Sequence, residues 1–253
     1  MVGESAKVLS GAYCTMGRYA QAELLARRGL AISEKVHGKD SAFVAADLNT
    51  LEWPLQMTGR LAEAEECYLR ALPIYEREMG PDSKDVGNCL SNMADLYIDM
   101  ARHAEAKTLL ERVLKIRQAT VGPDDPSYSR DSVSLGVALQ GLGRDDEAEA
   151  LYLRAVAALE KARGSGDPSI APALLGLATV YQKRGRNAQA EPLFERVLMI
   201  RERMLGPDHV NVADVLEPYA ALLRKTGRGQ KAAGFEARAQ AIRAAALAVT
   251  SPW

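Results

Sequence analysis

Apolar residues along the chain recur at helical spacing, and the same short pattern returns at a fixed interval. Leu48, Leu51 and Leu55 stand at i, i+3 and i+7. The corresponding slots hold Leu90, Met93 and Tyr97, then Leu174, Leu177 and Tyr181, then Leu216, Tyr219 and Leu223. Each set draws one apolar stripe along an amphipathic helix, called helix A below. A second stripe follows it: Ala64, Tyr68, Ala71, Leu72 and Ile74 in one period, and Ala190, Phe194, Val197, Leu198 and Ile200 three periods later. This is helix B. No segment alternates apolar and polar residues as a half-buried strand does, so the pattern predicts an all-α chain.

Three markers keep the register. Gly17-Arg18, Gly59-Arg60, Ala101-Arg102, Gly143-Arg144, Gly185-Arg186 and Gly227-Arg228 lie 42 residues apart without one insertion. Gly38, Gly80, Gly122, Gly164 and Gly206 repeat with the same period, mostly followed by Pro and Asp. So do arginines 28, 70, 112, 154, 196 and 238. The glycines suit helix ends, where a left-handed residue closes the last turn, and the prolines that follow cannot continue a helix. Ser41, Ser83, Asp125 and Asp167 stand where the next helix needs an N-cap, and Pro126 and Pro168 take its first position. The second period therefore predicts helix A over about 42–58 and helix B over about 62–79. One helix pair cannot bury its apolar faces alone. Six pairs, roughly 1–37, 38–79, 80–121, 122–163, 164–205 and 206–250, are expected to stack as one right-handed α-solenoid of about twelve antiparallel helices, with 251–253 as a tail.

These residues resemble the tetratricopeptide repeat family, and the 42-residue period is similar to the kinesin-light-chain type. The likeness is carried by Leu135-Gly136 and Leu177-Ala178 in helix A, the aromatics Tyr97 and Tyr181, the Gly-Arg turns, and Ala-Glu in helix B. Its best segment runs from Ala190 to Leu198 and ends in Leu205-Gly206-Pro207-Asp208-His209. The resemblance covers nearly the whole chain. It implies binding of another protein or peptide in a concave groove lined by the first helix of each repeat. Departures are Glu236 and Gln240 at positions the family fills with bulky apolar residues, Gly164-Ser165-Gly166-Asp167 in place of Gly-Pro-Asp, and Pro54, Pro73 and Pro218 inside helices, where each is expected to kink its helix. The family's clamp for a C-terminal carboxylate is not matched: Gly11 and Thr50 stand where it needs Asn, and Asn88 and Asn92 where it needs Lys and Arg.

The groove stripe brings Asn49, Trp53 and Gln56 to one side of the second helix A. Other repeats add Asn88, Asn92, Asp95, Arg130, Gln140, Gln182, Lys183, Arg224 and Lys225. Trp53 is a wide contact surface with one N–H donor, the residue type favoured at interface hot spots; it equally suits packing on the next repeat or beside Pro54. The amides can bond a ligand backbone whatever its sequence, or simply face water. Period 38–79 holds 4 basic and 8 acidic side chains, whereas 164–205 and 206–253 hold 6 and 4 each. An acidic ligand segment would thus prefer the C-terminal half near Lys183, Arg224 and Lys225, unless the pattern is only a solvated one.

Nothing in the sequence spells chemistry. His37, His103 and His209 lie far apart at a helix end and in loops, with no metal-ligand spacing. Asp145-Asp146-Glu147 suits a helix N-terminus. Gly164-Ser165-Gly166 lacks the lysine and the preceding strand of a phosphate loop. No enzyme activity, metal or cofactor is expected. With 32 basic and 33 acidic side chains, the chain offers no basic footprint for nucleic acid. Its longest apolar run, Ala244–Val249, is too short for membrane insertion, and residues 1–8 do not read as a signal peptide. Cys14, Cys67 and Cys89, an odd number at unrelated spacings, read as buried thiols in a reducing, cytoplasmic setting. Two alternatives stand beside the binding scaffold. One is self-assembly through the terminal helices, suggested by Phe235, Ile242, Ala246, Leu247, Val249 and Trp253. The other is a regulatory fragment of a larger multidomain protein that covers these ends.

Overall fold

A computed structural model describes residues 2–250, with side chains described for 6–246. Leu247, Val249 and Trp253, named above for the terminal helix, have side chains outside the described residues. Twelve α-helices are described: α1 Val2–Thr15, α2 Tyr19–His37, α3 Ala42–Met57, α4 Leu61–Met79, α5 Lys84–Asp99, α6 His103–Thr120, α7 Pro126–Gly141, α8 Asp145–Arg163, α9 Ala171–Lys183, α10 Asn187–Leu205, α11 Val210–Lys225 and α12 Gly229–Thr250. No strand occurs among the described residues. The second repeat falls at α3 and α4, within a residue of the bounds expected from its periodicity. The helices form two compact units, Met1–Gly122 with α1–α6 and Pro123–Trp253 with α7–α12. Within each, successive helices pair as hairpins, and each second helix packs on the next first helix of its unit.

The stripes account for the core. All twelve helix A positions read from the pattern, from Leu48 to Leu223, are buried. So are Ala64, Tyr68, Ala71, Ile74, Ala190, Phe194, Val197 and Ile200 of helix B, while Leu72 and Leu198 are half-buried. The caps form as the sequence implies. Ser41 accepts from the Val44 amide, Ser83 from Val86, Asp125 from Ser127, and Asp167 from Ser169. Pro168 opens a short 3₁₀ turn, Pro168–Ile170, ahead of α9. Pro54, Pro73 and Pro218 lie inside α3, α4 and α11, each of which runs on as one helix across its proline. One histidine placement differs from expectation: His103 is the first residue of α6. His209 stands in the loop before α11, as expected, and caps that helix by accepting the Asn211 amide on Nδ1.

The arginine markers have a cause that spacing alone does not reveal. Arg70, Arg196 and Arg238 each reach back 36 residues to a glutamate (Glu34, Glu160, Glu202) and 31 residues to a loop carbonyl (Lys39, Ser165, Pro207). Arg112 does the same with Glu76 and the Pro81 carbonyl. The turn arginines form a second ladder: Arg60, Arg102, Arg186 and Arg228 pair with the glutamate 37 residues earlier, namely Glu23, Glu65, Glu149 and Glu191. Arg102 and Arg186 also lie over the rings of Tyr97 and Tyr181, at 4.0 and 4.3 Å. Along the sequence, the recurring acid is replaced ahead of Arg144 and Arg154, where Lys107 and Gln118 stand.

Candidate functional site

In the first unit, α3 turns two different faces in two directions. Leu48, Leu51 and Leu55 are sealed in the core, whereas Trp53, on the other side of the same helix, keeps 41% of its surface exposed. Asn49 and Gln56 flank it at i−4 and i+3, which places all three on one face. That face continues onto α5. The Gln56 amide donates to Asp99 Oδ2 at 2.6 Å, and Asp95 and Asn92 lie one and two turns before Asp99. Asn49 is half-buried, and its Oδ1 is without a hydrogen-bond partner. Asn88 is occupied: it accepts from Arg117, a buried guanidinium, at 2.8 Å. Lys7 of α1, at the same level as Asn49, is held by the buried Asp47 at 3.2 Å.

The second unit holds a cleft of about 690 Å³ between the start of α7, the end of α8 and the residues leading into α9. Arg130, Val133 and Ser134 form one wall, Leu159 and Arg163 another, and Ser169 and Pro172 a third. Arg130 is exposed at its tip and pairs with the buried Asp131 at 3.2 Å. The remaining positions read as groove lining in this unit are mostly engaged inside the chain. Gln140 accepts from the Tyr152 hydroxyl at 2.5 Å, and Gln182, itself buried, donates to the Pro218 carbonyl at 2.8 Å. Lys183 pairs with Asp145 at 2.7 Å. Arg224 is forked onto Glu236, which gives a role to the acid that departs from the repeat pattern. Lys225 is exposed.

One residue behind this face escaped the sequence reading. Glu52, next to Trp53, points inward and is only 6% exposed. Burial lifts its carboxyl to about 7, against a hydrogen bond from Tyr68 that favours the charged form, and the charge of Asp95 raises it further. Its Oε2 has no hydrogen-bond partner. The signal that could have found it is positional: at 42-residue intervals the chain has Ser10, Glu52, Ala94, Gly136, Ala178 and Ala220, so a glutamate occupies a small-residue slot. Cys14, Cys67 and Cys89 are all free and buried, and burial first, then the charge of Glu52, pushes Cys67 to about 11 and Cys89 to about 12. Among the described residues no cluster of His, Cys, Asp and Glu could hold a metal ion. No helix among them is long and apolar enough to cross a membrane.

Comparison with known proteins agrees with this architecture. The tetratricopeptide repeat family model matches residues 4–77, 55–119, 85–161 and 169–245. Nearly identical TPR-like repeats from a Podosopora anserina protein described as a kinesin light chain are 25% identical, over 79% of this chain and 94% of that one, with a TM-score of 0.68. BtubC (BKLC) from P. vanneervenii is 21% identical over 97% of this chain and 92% of its own, at a TM-score of 0.65. A Rap protein complexed with Competence and Sporulation Factor shares the fold at 17% identity and a TM-score of 0.66, over 97% and 76% of the two chains. No curated protein matches the sequence. With twelve helices in 42-residue pairs and family matches spanning most of its length, the chain belongs to the tetratricopeptide repeat family, and its repeats are of the kinesin-light-chain-like kind.

Proposed function

We propose that this chain is a protein-interaction scaffold without enzymatic activity, which binds a peptide or helix of a partner protein on the faces presented by the first helices of its repeats. The observation that carries the reading is Trp53, a large aromatic left exposed on α3 while the apolar stripe of that helix is buried. A tryptophan offers contact area at low conformational cost, and interface hot spots are enriched in it. The α7–α9 cleft supports the same reading, since it sets the apolar Val133 and Leu159 beside Arg130 and three serines. That a Rap protein of this fold has been seen complexed with Competence and Sporulation Factor gives a precedent for the fold in complex with another molecule. The balanced charge argues for a protein partner over nucleic acid. Three free, buried thiols suit a reducing compartment, and we place the protein in the cytoplasm. Affinity capture from native lysate tests the reading. Trp53→Ala is expected to lose the captured partner while its far-ultraviolet circular dichroism stays that of the parent; unchanged capture removes Trp53 from the site.

Self-association through terminal helices is the second reading. It is supported by α1 and the turn that follows it, where Val8, Leu9 and Met16 are exposed. Light scattering over a range of concentrations decides it, and a strict monomer at every concentration ends it.

A further inference from the structure

We propose that the outward face of α1 docks an amphipathic helix of a partner protein, one that carries two acids spaced as Glu23 and Glu34 are on α2. The surface is separate from the Trp53 face, and the inference goes beyond the binding role proposed above. It starts from how first helices are covered elsewhere in the chain. α3, α5, α9 and α11 each pack on the second helix of the preceding repeat. At one slot of their 42-residue register stand Leu51, Met93, Leu177 and Tyr219, none more than 4% exposed. Leu9 holds that slot in α1 and is 46% exposed, with Val8 beside it at 75%. Among the described residues no second helix precedes α1. Its stacking face is therefore apolar and open.

Charge states what would cover it. In later repeats the covering helix also supplies two carboxylates: Glu23 and Glu34 of α2 bind Arg60 and Arg70, and α4, α8 and α10 repeat the pair. The two acids are eleven residues apart. That is three helical turns, so both lie on one face, roughly 16 Å from each other. Arg18 and Arg28 occupy the two arginine slots of the first repeat. Both are exposed, and neither pairs with an acid among the described residues. Arg18 bonds Gln21 and lies over Tyr13 at 4.8 Å. Arg102 makes the same local contacts, with Glu105 and Tyr97, and still takes Glu65 from the helix before it. The acids of α2 are already bound by the arginines of the next repeat. An apolar stripe flanked by two such arginines is complementary to a helix of the same kind as α2, with its first acid on Arg18 and its second on Arg28. A second copy stacked head to tail does not fit, because α12 has Ala233 and Ala244 at the two acid slots.

The test uses the full chain and a fluorescent peptide copying α8, Asp145–Arg163, which has Glu149 and Glu160 at the acid slots and no proline. A hydrocarbon staple on its polar side holds the helix. The peptide is expected to bind, and more weakly as salt rises. A copy carrying Glu149→Gln and Glu160→Gln should bind at least fivefold more weakly, by about the same factor as Arg18→Gln or Arg28→Gln in the chain. Leu9→Asp should abolish binding. Trp53→Ala should leave it unchanged, which separates this surface from the Trp53 face. Circular dichroism of each variant guards against misfolding. Absence of binding, or binding indifferent to both arginines, overturns the proposal. So does light scattering in which the parent self-associates and Leu9→Asp is monomeric, since a second copy then occupies the face.

Discussion

The carboxyl of Glu52 is buried beside the hydroxyl of Tyr68 inside the first unit, at a place where the equivalent repeats put serine, alanine or glycine. Burial lifts Glu52 from its ordinary 4.5 to about 7. The folded state therefore holds a proton that the unfolded chain has already released between these values. Stability linked to this proton is fully present below pH 4.5 and is lost as pH rises to about 7, with a total loss of about 3 kcal/mol. Glu52→Gln and Glu52→Ala remove the titrating group. The parent's unfolding free energy, followed by urea titration from pH 4.5 to 8, should fall relative to both variants across that window. Parallel profiles for parent and variants would show that the carboxyl is already ionised in the folded protein at low pH.

Tyr152 is packed between two glycines on the first helices of its own and the next repeat. A Cβ on Gly136 would come to 2.5 Å from its ring, and one on Gly176 to 2.4 Å. Gly176→Ala should thus destabilise by about 1–3 kcal/mol, the range for overpacked cores, although alanine is the better helix former. Gly234, inside α12, has nothing within 4 Å of such a Cβ. There the same change should stabilise by up to about 1 kcal/mol. Thermal unfolding of the two variants decides the matter by the sign of the shift, and a gain at both sites would mean that the Tyr152 ring moves aside freely.

The contrast between these glycines shows what the sequence could and could not carry. Helical periodicity is a local property, and it located the buried faces because each stripe is sorted by one helix against one core. Caps and turns were legible for the same reason, since Ser83 and Val86 are three residues apart. Groove residues were not. Gln56, Asn88, Gln140 and Gln182 look alike as amides on helix A, yet their partners lie 43, 29, 12 and 36 residues away. A stripe cannot tell an amide facing water from one bonded to the next helix. The arginine markers announced a recurring interaction but not its partners, because these sit a full repeat earlier. Glu52 was hidden by its type: a lone glutamate beside Trp53 reads as surface until the six periods are laid over one another.

Ala101 takes the place of glycine in the third Gly-Arg turn and holds φ at +57°, while the glycines at the equivalent turns lie between +71° and +78°. The left-handed conformation costs an L-residue roughly 1–2 kcal/mol that glycine avoids. Part of that relief is offset by the larger conformational freedom of glycine in the unfolded chain. Ala101→Gly should accordingly raise the urea midpoint by a stability gain of about 1 kcal/mol, with the slope of the transition unchanged. A lowered midpoint would mean that Ala101 makes contacts which outweigh its strain.

The arginine ladder makes the last prediction, and it separates charge from geometry. Arg196 donates one bond to Glu160 at 2.6 Å and another to the Ser165 carbonyl at 2.5 Å, so it ties the end of α8 and the loop after it to α10. The ion pair alone is partly solvated and should contribute less than about 1 kcal/mol. The carbonyl bond is charge-assisted, and the loop it anchors contains no proline of the usual Gly-Pro-Asp kind. Arg196→Lys keeps the charge but is shorter, and its ammonium falls short of the place from which the single Nη2 of Arg196 reaches both acceptors. It should cost about 1 kcal/mol, more than Glu160→Gln, and the cost should persist at high salt, where the Glu160→Gln effect fades. Urea titrations of both variants at low and high ionic strength measure the difference. Equal, salt-sensitive losses would show that the marker arginine acts as a point charge and that the loop carbonyl contributes nothing.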